Sequence, residues 1–172
     1  MNEGMRWLVF GAGAIGTYIG GSLALHALQG GPAHQVVFLE RPEVAAEVRP
    51  RGLRMNLQAR ERTVNNVQVV GTIEEALAAG PFNAGIFALK SFDTQPAMER
   101  LSSHLAALPP LLCLSNGLDN EPTLEQVLGV GKVIAGTVTS AIGRRAAGDI
   151  VLERLRGVGV AGGHPLSESI CA

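Results

Sequence analysis

The chain has 172 residues, 47% of them hydrophobic and 17% charged, with a formal net charge of −1. This is length enough for one domain with a substantial core. The composition excludes a disordered chain and a polybasic nucleic-acid binder, and 4% aromatic content leaves no stacking platform for single-stranded nucleic acid.

Trp7 to Phe10 is an apolar segment with strand character, and it runs directly into Gly11-Ala12-Gly13-Ala14-Ile15-Gly16. Ile15, Ile19 and Leu23 then recur every four residues, which predicts a helix from Ala14 to Leu28. Strand, G-x-G-x-x-G and helix in that order form the β–α turn of a dinucleotide site. The first glycine makes the tight turn, the second admits a diphosphate to the backbone, and the third lets helix and strand pack closely. The other reading is a tight β–α turn without a ligand, or a G-x-G turn serving a different nucleotide-like ligand. Between Trp7 and Leu28 there is no Asp, Glu, Lys or Arg, long enough to imitate a membrane span. The glycines near its start and the strand-plus-buried-helix reading argue against insertion, and no signal-peptide pattern precedes it.

Gly30-Gly31-Pro32 stops the helix, and Gln35 to Glu40 reads as a second strand. Pro42 suits the first turn of a short helix toward Val48. From Gly52 to Val70, Leu53 to Leu57 and Val64 to Val69 are expected to pair as two strands across a polar turn, Gln58 to Arg62. Thr72 caps a short helix from Ile73 with Glu74 and Glu75 in its first turn. Phe82 to Leu89 is the next core strand, and Asp93 or Thr94 is expected to cap a helix reaching Leu108. Leu111 to Leu114 follows as a buried strand, and Asn120 is expected to cap a helix ending before Gly129. Lys132 to Ile142 reads as one strand, Gly143 to Gly148 as a turn, and Asp149 to Glu153 and Gly157 to Ala161 as antiparallel strands. Gly162 to Ala172 shows no periodicity. The alternation predicts an α/β fold, doubly wound around a mostly parallel sheet with added antiparallel strands.

Ligands of such sheets bind beyond the carboxyl ends of the strands. After the second strand stand Glu40 and Arg41. An acid there takes the ribose hydroxyls of NAD, and an arginine the 2′-phosphate of NADP. Arg41 is favoured as the phosphate ligand, since a guanidinium pairs well with phosphate. On the bland reading both are solvated surface charges. Lys90, at the mouth of an apolar strand, holds cofactor or a substrate carboxylate, or else snorkels at the surface. Asn116 offers an amide to the nicotinamide ribose or to a substrate oxygen. His26, His34, His104 and His164 are expected to be surface or loop residues, and no nucleophile–histidine–acid set is legible. Cys113 and Cys171 form no metal or disulfide pattern, as expected of a cytoplasmic protein.

The glycine motif, Leu39-Glu40-Arg41, Arg51-Gly52-Leu53-Arg54, Leu89-Lys90-Ser91-Phe92-Asp93-Thr94, Asn116-Gly117-Leu118 and Gly136-Thr137-Val138-Thr139 stand in one order. Together they resemble the ketopantoate reductase (2-dehydropantoate 2-reductase) family, over nearly the whole chain to about Gly162. The resemblance implies a Rossmann-like NADPH-binding domain over residues 1–162, with 163–172 as a tail or the start of an interdomain region. It implies cofactor contacts from Gly11, Gly13, Ala14, Ile15, Gly16, Arg41, Leu89, Lys90 and Asn116, with Asn116 also reaching the substrate. NADPH is the expected cofactor, NADH the lesser alternative, and a small 2-keto acid the expected substrate, with neither nucleic acid nor membrane as partner. The family's general-acid lysine lies on a helical C-terminal domain, and no lysine follows Lys132 here. The chain is therefore expected to be the cofactor half of a two-domain reductase, without catalytic residues of its own, inactive alone and able to self-associate. A non-catalytic NAD(P)-binding sensor module is the competing reading.

Overall fold

A computed structural model describes residues 4–115 and 120–171. The first strand, β1 (Arg6–Phe10), leads into α1 (Ala14–Leu28), followed by β2 (Gln35–Leu39) and α2 (Pro42–Val48). Next come β3 (Leu53–Leu57), β4 (Arg60–Val64), β5 (Val67–Val70), α3 (Ile73–Ala78) and β6 (Ala84–Phe87). The helix α4 (Ser91–Leu101) tightens into a 3-10 turn over Ser102–Ala107, and β7 (Leu111–Cys113), α5 (Asn120–Leu128) and β8 (Val133–Val138) follow. The chain then forms β9 (Ala141–Ala146), β10 (Asp149–Arg154), β11 (Val158–Val160) and α6 (Ser167–Cys171).

Seven strands form one sheet in the order β11-β8-β7-β6-β1-β2-β5, and four form a second in the order β4-β3-β10-β9. All neighbours in the large sheet are parallel except β11, which runs antiparallel to β8. The winding runs outward from β1 through β2 to β5, then restarts on the other side of β1 at β6 and continues to β7 and β8. The crevice beyond the carboxyl ends of β1 and β6 is therefore the topological switch point, where ligands of open α/β sheets bind.

Strand β1 buries both faces. Trp7 and Val9 join one apolar cluster, while Leu8 and Phe10 join another on the opposite side. The second cluster is closed by Ala76, Met98, Leu101 and Leu124 from α3, α4 and α5. The first is closed by α1, whose outer side is covered in turn by Leu53, Met55 and Ile150 of the second sheet. That double covering explains the charge-free stretch. A helix packed between two sheets leaves few positions for charge, and among the described residues no helix is long and apolar enough to cross a membrane. The approach is close enough that a Cβ on Gly20 would lie 2.7 Å from the Phe38 ring, and one on Gly21 would collide with the Met55 sulfur.

Several expectations need correction. Val64 to Val69 is not one strand: β4 pairs antiparallel with β3 in the small sheet, and β5 joins the large sheet parallel to β2. The break is Asn65-Asn66, where the Asn66 amide donates to the Ala24 carbonyl of α1 at 3.0 Å, so the chain crosses from one sheet to the other around the helix. The turn between β3 and β4 is shorter than expected, Gln58-Ala59, both at positive φ. Lys132 to Ile142 likewise divides into β8 and β9 in different sheets, and the expected turn from Gly143 is strand as far as Ala146. Residues 167–171 form the short helix α6, with Ile170 packed on the first core cluster.

Candidate functional site: a glycine loop at the switch point

Gly11 stands at φ +90°, a conformation that excludes ordinary side chains, and its amide donates to the Leu39 carbonyl at 3.0 Å. A Cβ there would come within 2.8 Å of the Leu89 side chain, which lies over the turn. Gly13 is the N-cap of α1 in extended geometry, and nothing lies within 4 Å of where its Cβ would be. Gly16 is required for a different reason, because its Cβ would strike the Gly11 carbonyl oxygen. The first turn of α1 carries no acidic residue and its N-cap no side-chain hydrogen bond. The amides and positive dipole end of this helix therefore face open space beside Gly13, an arrangement suited to a diphosphate.

Glu40 sits directly after β2, with its amide bound to the Val70 carbonyl at 3.0 Å. Its carboxylate turns into the glycine loop. Oε1 accepts from the Ala12 amide at 2.5 Å, and Oε2 from the Arg41 amide at 3.1 Å. Arg41 is held less firmly: its side chain is 65% exposed, and Nη1 lies 3.5 Å from the Glu43 carboxylate. Glu40 and Arg41 thus reach the same cleft, but only the carboxylate touches the loop.

The cleft encloses about 380 Å³ between the glycine loop, the ends of β2 and β5, and α4. Leu39, Ile73, Leu89, Ala97 and Leu101 make its apolar walls, and Glu40, Arg41, Thr72, Glu74 and Arg100 its polar rim. An apolar slot with a few polar groups, reaching the glycine loop at Gly11, suits an adenosine moiety. His104 Nε2 lies 3.2 Å from Glu74 Oε1. Glu74 is held below its ordinary carboxyl range, first by its own backbone amide and further by Thr72 and His104.

Thr72, Ile73, Glu74, Ala97, Arg100 and Leu101 were not among the expected site residues. The signal for Thr72 was available: it follows β5, and β5 is a parallel strand of the main sheet once separated from β4. Lys90 occupies the N-cap of α4, with Nζ 5.6 Å from the Phe92 ring centroid, exposed at the carboxyl edge of the sheet. The expected capping role of Asp93 or Thr94 does not hold. Helix α4 starts at Ser91, and Thr94 lies inside it, buried, its hydroxyl donating to Asn120 Oδ1 at 3.1 Å. Asn116 lies outside the described residues. Burial pushes the Cys113 thiol up, which makes it a core residue and no nucleophile. Among the described residues no group of three or more His, Cys, Asp or Glu side chains could hold a metal.

The solved structures with this architecture agree with the topology. A PanE/ApbA family ketopantoate reductase from Ralstonia eutropha JMP134 is 26% identical and superposes with a TM-score of 0.76, over 97% of this chain and 53% of that one. A putative ketopantoate reductase from Ralstonia solanacearum MolK2 is 20% identical with a TM-score of 0.79, over 98% of this chain and 57% of that one. D-mandelate dehydrogenase, in a ternary structure with NADH and anilino(oxo)acetate, is 18% identical with a TM-score of 0.71, over 96% of this chain and 51% of that one. The chain thus spans about half the length of these relatives. No curated protein sequence matches significantly. The sequence model of ketopantoate reductase PanE/ApbA matches residues 7–162, from β1 through β11, the whole span that builds the switch point and its glycine loop. By that match the chain belongs to the ketopantoate reductase PanE/ApbA family.

Proposed function

We propose that residues 1–162 are the coenzyme-holding part of a reductase that passes hydride from a reduced nicotinamide dinucleotide to a 2-keto acid, with 2-dehydropantoate as the leading substrate. The observation that carries this reading is the open glycine loop at the β1/β6 switch point, continuous with an adenosine-sized cleft. When bound, the reduced nicotinamide would supply the hydride. The chain's own groups then have separable tasks. Gly13, Ala14, Ile15 and Gly16 would present amides to the diphosphate, while Gly11, its own amide bound to Leu39, makes the turn that lets it approach, and Leu89 packs over that turn. Lys90 places a cation at the carboxyl edge of β6, where a phosphate or a substrate carboxylate would be held. Asn116, three residues after β7 in the sequence, would donate to the nicotinamide ribose or to a substrate oxygen. Holding donor and acceptor in reacting geometry is a large part of the rate such a site supplies.

Substrate breadth is part of the proposal. The D-mandelate dehydrogenase relative was solved with an oxo acid other than ketopantoate, at 18% identity, so the fold suits more than one 2-keto acid. NADPH is the coenzyme that Arg41 by itself supports. Calorimetric titration of the chain with NADPH and NADH tests the reading, and absence of heat with both, on folded protein, removes it. Arg41→Ala is expected to weaken NADPH several-fold and to spare NADH, and equal loss of both would remove the 2′-phosphate role of Arg41.

A further inference from the structure

Arg41 is the residue that sequence reasoning favours for choosing the coenzyme, yet the geometry gives the commanding position to its neighbour. We propose, resting on the dinucleotide reading above, that Glu40 is the specificity-determining residue of this site. Its carboxylate accepts the adenosine ribose hydroxyls and opposes a 2′-phosphate, so that NADH binds in preference to NADPH.

Three observations carry this. First, Glu40 is pinned. Its two carboxylate oxygens accept from the amides of Ala12 at 2.5 Å and Arg41 at 3.1 Å, and its own amide is bound to Val70. Turning the carboxylate away to admit a phosphate would strip the fully buried Ala12 of its amide partner. Each oxygen keeps lone-pair capacity for a ribose hydroxyl. Second, Arg41 is not pinned. Its guanidinium is 65% exposed and is already shared with the equally exposed Glu43, a contact of the weak surface kind. Third, the cleft has no surplus of positive charge. Glu40 and Glu74 balance Arg41 and Arg100 around it, and Glu74 is itself turned to His104. A dianionic 2′-phosphate next to a fixed carboxylate would need a net cationic surround to offset the repulsion.

The test is calorimetry with NADH and NADPH on the chain and on Glu40→Gln, whose amide oxygen still accepts from Ala12. The unsubstituted chain is expected to bind NADH more tightly. Glu40→Gln is expected to shift the NADPH-to-NADH affinity ratio toward NADPH by about tenfold, about 1.4 kcal/mol. A second reading needs no variant: 5′-AMP should bind the unsubstituted chain more tightly than 2′,5′-ADP, from which it differs only by the 2′-phosphate. Tighter binding of NADPH and of 2′,5′-ADP to the unsubstituted chain, or a ratio unmoved by Glu40→Gln, overturns the role of Glu40 and leaves the dinucleotide reading standing. Failure of folded chain to bind any of the four probes removes the dinucleotide reading, and this proposal with it.

Discussion

Two glycines of the loop look interchangeable as letters and differ sharply in what surrounds them. A methyl group on Gly16 meets the Gly11 carbonyl oxygen, which is backbone and cannot yield without opening the turn, whereas one on Gly13 meets nothing and needs no unusual φ. Gly16→Ala should therefore cost about 1–3 kcal/mol of stability, the usual penalty of overpacking. Gly13→Ala should leave the urea midpoint nearly unchanged while lowering dinucleotide affinity, because the methyl stands where a diphosphate approaches the helix amides. A second residue-scale effect concerns His34. Its Nδ1 accepts from the Met5 amide at 3.1 Å and from Trp7 Nε1 at 3.3 Å, an arrangement that needs the neutral ring. Burial pushes His34 below its ordinary imidazole value, and the nearby His26 adds to the shift. A lowered folded-state value means that the unfolded chain takes up the proton first as pH falls. The contribution of His34 is thus whole above about pH 6.5, the ordinary value, and is lost as pH falls from there through its lowered folded value. Denaturation midpoints measured from pH 7.5 to 5 should decline, and His34→Gln should flatten that slope.

Among the elements, α1 has the most unusual position, lying between two sheets with Gly16, Thr17, Gly20, Gly21 and Ala24 buried. Ala24, in its C-terminal half, is fully buried, and its carbonyl accepts the Asn66 amide that turns the chain from β4 to β5. Ala24→Glu should destabilise by about 3–5 kcal/mol, since an unpaired carboxylate would be buried against both layers. A helix with one side in water would tolerate the same substitution, so chemical denaturation decides between the two. The strands show where pattern reading reaches its limit. A short apolar run or alternation marks the buried strands, but it carries no information on which sheet a strand joins. β4 and β5 are separated by only Asn65 and Asn66, and β8 and β9 by Thr139 and Ser140, yet each pair is split between sheets.

For the whole molecule, the glycine loop, β2, β5 and α4 come from four separate stretches of chain and meet only in the folded state. A ligand held by all of them binds the native state alone and should raise its stability by linkage. NADH or NADPH at a hundredfold its dissociation constant is expected to add about 2.7 kcal/mol, read as a concentration-dependent rise in melting temperature. The same dinucleotide should leave Gly13→Ala nearly unshifted at that concentration. A protein that shows the shift without reducing any 2-keto acid, also when joined to the remaining half that its relatives possess, would be a sensor of the nucleotide.

The turn at Gly11, the helix after it and the doubly wound alternation were legible from residue order alone, because each depends on neighbours a few positions away: a positive φ, a period of 3.6, a strand bounded by punctuating residues. The direction of the Glu40 carboxylate was not. It follows from the amide of Ala12, 28 residues earlier, being brought within hydrogen-bond reach by the pairing of β1 with β2. The wall of the cleft that α4 supplies, Ala97, Arg100 and Leu101, was hidden for the same reason. Local sequence determines which backbone conformations are accessible, while the partner of a charge is decided by which distant groups the packed sheet leaves unsatisfied beside it.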